Sequence, residues 1–337
     1  MALEAPLRVD YGEEDPMKSL WLATLATVAS LVAASAPAQQ QVGRPADPPF
    51  TLPADVEVRK AAILSDGTRL AADLYVRKGA QGKLPVIVLA YGWGGTKANF
   101  RAEAAAFAEA GFLAVLFDYH GWGESDGRIV LAEAMPGEKP GGVFTARVRE
   151  LREVMDPPAE LDDLANVIHW LQADPQADPA RLGIWGTSFG GGMAVAAAAR
   201  DRRVKAVHAQ MAPLELRGLD RLGRHDGTMR ARGELGWPDP GVVVVSGLKG
   251  APIAEHFLAF SPATAMNLNP DCAVQLVLAG KDELFDIRTS IAAYDAFEGT
   301  KKNLVVLPDA THYDAYTRAR AEVLKLALAW FERQLKT

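Results

Sequence analysis

The residues best able to do chemistry in this 337-residue chain are Gly186-Thr187-Ser188-Phe189-Gly190. A single serine stands between two glycines, after the apolar run Arg181–Trp185 and before an alanine-rich run that ends at Arg200. A G-x-S-x-G pattern at a strand-to-helix junction holds the serine at the tip of a sharp, strained turn. Positions two before and two after the serine then lie against each other and the neighbouring strand, so only very small side chains fit. The helix that follows points its N-terminal dipole at the site and lends a backbone N–H to a developing oxyanion. Gly191, Gly192 and Ala194 let that helix pack closely on a sheet. Two nucleotide-binding readings fail. A phosphate-binding loop needs a lysine after its last glycine, and a dinucleotide-binding turn needs a third glycine three residues on. Met193-Ala194-Val195 supplies neither.

A serine hydroxyl is a weak nucleophile until a base accepts its proton, and the base needs an acid to orient it. In the G-x-S-x-G arrangement the chain order is serine, then Asp or Glu, then histidine. Of the six histidines, His120 and His169 precede Ser188, His208 falls in the next strand, and His225 and His256 lie in a long insertion. Only His312 follows the last strand, so it is the expected base. The acid should end the strand Ala273–Ala279. Asp282 comes first after it, with Glu283, Asp286 and Asp309 as competitors. The second oxyanion donor should come from Tyr91-Gly92-Trp93-Gly94-Gly95-Thr96, where Gly92 permits close approach and Trp93 presents its N–H. Phe189 presents the other. Tyr91, Trp122, Met211, Trp237, Phe257 and Phe260 are apolar side chains expected to line a substrate pocket.

These residues need a scaffold, and the sequence predicts one. Val56–Leu64 and Arg69–Val76 read as strands joined by Asp66-Gly67, a strong hairpin signal. Apolar strands at 84–90, 112–117, 181–185, 204–209, 273–279 and 303–307 then alternate with helices at 99–110, 160–172, 188–200, 289–297 and 317–335. Such alternation means a mostly parallel eight-stranded sheet with helices on both faces, and the hairpin adds antiparallel edge strands. Stretches 128–158 and 213–269 interrupt the pattern. Both are long for loops, so a lid or partner surface is expected there. The domain therefore runs from 56 to 337 with two insertions.

The chain is 49% hydrophobic and 23% charged, as in ordinary globular proteins. Met17-Lys18-Ser19, the apolar run Leu20–Ala34 and Ala36-Pro37-Ala38 have the form of a secretory signal peptide over 17–38. The run is shorter than the roughly 20 residues that span a bilayer, so no lasting membrane anchor is expected. The acidic residues 1–16 read as an upstream extension and 39–55 as a linker. Residues 1–38 carry two basic and five acidic side chains, so −3 of the net −6 remains from Gln39 onward. So weak a charge gives no case for nucleic acid. The expected compartment is periplasmic or extracellular. The lone Cys272 has no intrachain partner and reads as core. No metal or cofactor is expected.

Several longer stretches carry a resemblance. Asp118-Tyr119-His120-Gly121-Trp122-Gly123-Glu124-Ser125 resembles the D-x-R-G-x-G-x-S turn of α/β-hydrolases. Asp178–Gly192, Ala198–Val207 and His312–Tyr316 resemble the dienelactone-hydrolase-like branch, especially hydrolases related to fungal polyketide transferases and thiohydrolases. Ser65–Tyr75 resembles the start of X-prolyl peptidases and cocaine-esterase-like enzymes. Tyr91 and His120 stand where that pattern has histidine and arginine. The resemblance spans residues 56 to 335. It implies an α/β-hydrolase fold, a Ser188–Asp282–His312 triad and no metal. The expected activity is hydrolysis of a small carboxylic ester or thioester through an acyl-enzyme. A prolyl-type peptidase, an acyltransferase and a non-catalytic binding protein are the competing readings.

Overall fold

The computed structural model describes residues 49–216, 220–245 and 247–336. All of them belong to one compact unit. The signal-peptide and upstream segments lie outside the described residues.

Eight strands form the central sheet: β1 (Val56–Ser65), β2 (Thr68–Arg77), β3 (Leu84–Ala90), β4 (Leu113–Phe117), β5 (Ala177–Thr187), β6 (Val204–Gln210), β7 (Ala273–Ala279) and β8 (Lys302–Leu307). Their spatial order is β1-β2-β4-β3-β5-β6-β7-β8. β1 and β2 pair antiparallel across Asp66-Gly67, both at positive φ, and β2 is antiparallel to β4. Every later pairing is parallel. This is the α/β-hydrolase fold, as the alternation of strands and helices predicts. β4 and β7 are buried along their whole length, because parallel strands covered on both faces need apolar residues at every position.

Among the described residues, seven helices accompany the strands. They are α1 (Arg101–Glu109), α2 (Pro157–Leu171), α3 (Phe189–Arg200), α4 (Asp220–Ala231), α5 (Pro262–Ala265), α6 (Ile287–Ala296) and α7 (Arg320–Leu335). α2 begins three residues before the position predicted for it. Pro157 and Pro158 fill its first two positions, where a missing N–H costs nothing, so prolines that looked like a loop open the helix. α7 begins three residues later than predicted, because His312–Tyr316 forms a separate 3₁₀ turn.

Both interruptions carry structure of their own. Arg128–Leu131 and Val148–Leu151 pair antiparallel. Ala251-Pro252 pairs in parallel with Val154-Met155 and so ties the second stretch to the first. Trp237 is held between the guanidinium groups of Arg128 and Arg230, 4.9 and 5.0 Å from its ring. α4 has no helical signature in the sequence, since its residues (DRLGRHDGTMRA) are polar with two internal glycines. It lies against the 3₁₀ turn Ala254–Ala259, where a Cβ at Gly223 would stand 2.7 Å from the Ala254 carbonyl.

Candidate active site

β5 ends at Thr187 and α3 starts at Phe189, so Ser188 alone makes the turn. Its φ of 53° and ψ of −131° lie in a region that L-residues rarely occupy. Two neighbours hold it there. Its N–H donates to the carbonyl of Gln210 at 2.8 Å, and its own carbonyl accepts from Gly191 at 2.8 Å. The flanking glycines follow from the same geometry. A Cβ at Gly186 would overlap the Gly190 carbonyl and stand 2.7 Å from Gly191 Cα. One at Gly190 would overlap the carbonyl oxygens of Ala90, the last residue of β3, and of Tyr91, the first of the loop that follows.

His312 opens the 3₁₀ turn after β8 and is almost fully buried. Its Nε2 stands 2.9 Å from Ser188 Oγ and its Nδ1 stands 2.8 Å from Asp282 Oδ2. Asp282 Oδ1 accepts the N–H groups of Leu284 and Phe285, so the loop after β7 folds around this carboxylate and leaves Oδ2 for the ring. The competing acids have other partners. Glu283 accepts the backbone N–H of His312, Asp286 caps α6, and Asp309 pairs with Lys281. Phe285 meets the His312 ring edge-on at 5.5 Å. The sequence carries no signal for the contact of Phe285, and for that of Glu283 only its adjacency to Asp282.

The loop after β3 reaches the serine. A Cβ at Gly92 would stand 3.0 Å from Ser188 Cβ. Trp93 follows, and its ring meets that of Phe189 at 5.7 Å. Phe189 opens α3, so its N–H belongs to the first turn and has no partner within the helix. The Trp93 indole N–H donates to the Gly250 carbonyl at 3.0 Å, which fastens this loop to the second interruption.

The expected pocket residues separate into several places. Phe257 and Phe260 pack on Phe189 and, through Phe257, on Trp93, with ring centroids 5.4 to 6.0 Å apart. Tyr91 turns inward instead. Its hydroxyl accepts the Tyr119 N–H at 2.8 Å, and burial raises its pKa well above the ordinary phenol value. Trp122 is buried, with its indole N–H on the Val154 carbonyl. Tyr91, Tyr119, Trp122 and Met155 line a small cavity with Gly92, Gly94 and Glu160, whose carboxyl pKa burial pushes up to about 8. Met211 is fully buried against Val277, Ala279 and Ala315. Trp237 sits in its arginine clamp. Of these six, Phe257 and Phe260 join the rings of Trp93 and Phe189 beside Ser188.

The other histidines are engaged elsewhere. His120 bonds Asp163 through both its N–H and its ring, which anchors the Asp118–Ser125 turn to α2. His169 meets Arg203, His225 meets Asp226, and His256 meets Asp156. His208 is fully buried among amides. Among the described residues, no group of three or more His, Cys, Asp or Glu side chains is arranged to hold a metal ion.

Comparison with known proteins agrees with this architecture. An uncharacterized 31.7 kDa protein of the traX-finO intergenic region of Escherichia coli is 28% identical over 291 residues, covering 75% of this chain and 92% of that protein. Thiohydrolase aneE of Aspergillus aculeatus is 31% identical over 143 residues, 42% of this chain and 37% of its own. The crystal structure of hypothetical protein PA2218 from Pseudomonas aeruginosa superposes with a TM-score of 0.67 at 23% identity, covering 89% of this chain and 99% of that one. The sequence pattern of X-Pro dipeptidyl-peptidases (S15 family) matches residues 66–267, a stretch that includes Ser188 and ends before Asp282. That match covers more than half of the chain, which accordingly belongs to the S15 family of α/β-hydrolases.

Proposed function

We propose that the protein is a serine hydrolase that cleaves small carboxylic esters or thioesters through an acyl-enzyme. The observation that carries this reading is the continuous run Asp282 Oδ2–His312–Ser188 Oγ, at 2.8 and 2.9 Å. Asp282 holds the imidazole with Nδ1 protonated, which leaves Nε2 free to accept the serine proton. Ser188 Oγ then attacks the carbonyl carbon, and the N–H groups of Trp93 and Phe189 receive the oxyanion. As the tetrahedral adduct collapses, His312 returns its proton to the departing alcohol or thiol. Water enters, gives a proton to His312 and attacks the acyl carbon. The acid leaves, and the proton passes back to Ser188. The aromatic group of Trp93, Phe189, Phe257 and Phe260 supplies apolar surface for the acyl part.

The family match favours one second reading, a prolyl-type peptidase using the same three residues. Labelling with a fluorophosphonate tests the shared chemistry. The wild type should be labelled and Ser188→Ala should not. An unlabelled wild type would refute both readings. Acyl esters of increasing length, an acyl thioester and a prolyl anilide then divide them by kcat/KM. We also infer export, on the pattern at 17–38. Mature protein recovered from the source cell's envelope should begin at Gln39, and an intact Met17 there would exclude cleavage.

A further inference from the structure

His208 is the one fully buried histidine outside the site, and it sits in a side-chain ladder that crosses four strands. Strand register puts Asn303 of β8 opposite Gln275 of β7, Gln275 opposite His208 of β6, and Gln210 of β6 opposite Thr187 of β5. On one face these side chains touch in sequence. Asn303 Oδ1 lies 2.8 Å from Gln275 Nε2, and Gln275 Oε1 lies 2.7 Å from His208 Nδ1. His208 Nε2 lies 3.2 Å from Gln210 Oε1, and Gln210 Nε2 lies 3.4 Å from Thr187 Oγ1. Thr187 Oγ1 lies 3.2 Å from Tyr316 Oη. The ladder thus ends on the residue before Ser188 and on the last residue of the 3₁₀ turn that His312 begins.

Apolar residues would fill this face at less cost, since each buried amide or imidazole must be fully bonded. The five contacts place a polar partner beside each of these groups while joining the nucleophile's strand to the base's turn. Burial holds the His208 pKa down at about 4, so the ring is neutral and carries one N–H. Both ring nitrogens therefore cannot donate. One neighbouring amide must present its NH2 to the ring, and the donors then run in one direction along the ladder.

We infer that this ladder, with His208 fixed in a single tautomer at its centre, is a positioning device that sets the Ser188–His312 separation through the Thr187–Tyr316 contact. The inference rests on the hydrolase reading above. None of these residues touches substrate; they act through Ser188 and His312.

The test has two arms on the full chain. In the first, nitrogen NMR of His208 between pH 5 and 8 should show one protonated and one bare ring nitrogen, unchanged across the range. Averaged shifts, or a doubly protonated ring, would overturn the fixed ladder. In the second, Thr187→Val and Tyr316→Phe keep shape and remove one hydroxyl each. Well below the melting temperature, each should lower kcat on an activated ester about 10-fold with KM within about twofold, because misplacing a proton acceptor affects the reacting step rather than binding. The double variant should be no slower than either single, since both break the same contact. Unchanged kcat, or losses that multiply, would overturn the positioning role. A wild type without Ser188-dependent turnover removes the hydrolase reading and the positioning role with it. The NMR arm still reports the ladder, so the two failures are told apart.

Discussion

Glu283 Oε2 accepts the backbone N–H of His312 at 2.7 Å, while its neighbour Asp282 holds the same residue's ring at 2.8 Å. Two adjacent carboxylates therefore grip one histidine, one by its main chain and one by its imidazole. Their losses should differ in kind. Asp282→Asn should lower kcat by about 10⁴, as expected when the imidazole tautomer is reversed. Glu283→Ala removes one backbone hydrogen bond of about 1 kcal/mol and should slow the reaction by less than about tenfold. Steady-state kinetics on one activated ester checks both, and the opposite ranking would make Glu283 the orienting acid.

Gly190→Ala should be among the most damaging single changes outside Ser188, Asp282 and His312. Its Cβ would overlap the backbone carbonyl oxygens of Ala90 and Tyr91 at the end of β3, which cannot rotate away as a side chain can. Either α3 lifts off the sheet or Ser188 leaves its turn. A loss of about 3 kcal/mol or more in urea unfolding is expected, or failure to fold. A variant of wild-type stability and activity would contradict the close approach.

Glu160 gives the protein a pH-dependent term of definite sign. Its carboxyl has an ordinary value of 4.5 when exposed, and burial raises it to about 8 in the folded chain. Between these values the unfolded chain releases a proton that the folded chain keeps. Stability is therefore full below about 4.5, falls as pH rises towards 8, and levels off above it. Glu160→Gln removes the ionisation and should flatten this fall, so that the variant gains on the wild type at pH 8 and not at pH 4. Urea midpoints measured across that range decide it. Parallel curves for the two proteins would mean that Glu160 does not titrate in this window.

Phe257 reaches the aromatic group from the second interruption, 5.7 Å from Trp93 and 6.0 Å from Phe189. Phe257→Ala should open space beside the two residues expected to hold the oxyanion. The ratio of kcat/KM for long over short acyl esters should rise, at a stability cost of about 3 kcal/mol or more. An unchanged chain-length profile would place the acyl group elsewhere.

Much of this molecule was legible along the chain, and the reasons are local. The Gly-x-Ser-x-Gly spacing marks Ser188 because a tight strand-to-helix turn excludes side chains at 186 and 190. Continuous apolar runs mark the parallel strands because both of their faces are covered. Asp66-Gly67 marks the hairpin because its turn needs positive φ at two successive residues. His312 stood out because the other five histidines fall before the last strand.

What local patterns did not decide depended on register and on how separate loops meet. Four acidic residues could have faced His312. Asp282 does so because its own loop engages Oδ1 with two N–H groups and turns Oδ2 to the ring. Pocket residues chosen for apolarity parted company, since Tyr91 and Trp122 spend their polar atoms on backbone groups of the core and Trp237 is taken by two arginines. The ladder from Asn303 to Tyr316 is invisible in the sequence, where its members are scattered from 187 to 316. Only the pairing of β5, β6, β7 and β8 sets those side chains side by side. The sequence by itself determined the tight turn at Ser188, the place of His312 after the last strand and the sheet, because each follows from backbone sterics, chain order or periodic burial. The tertiary structure decided which carboxylate meets His312, the aromatic group beside the serine and the polar ladder beneath it, because each is a contact between segments that only folding brings within hydrogen-bonding or van der Waals distance.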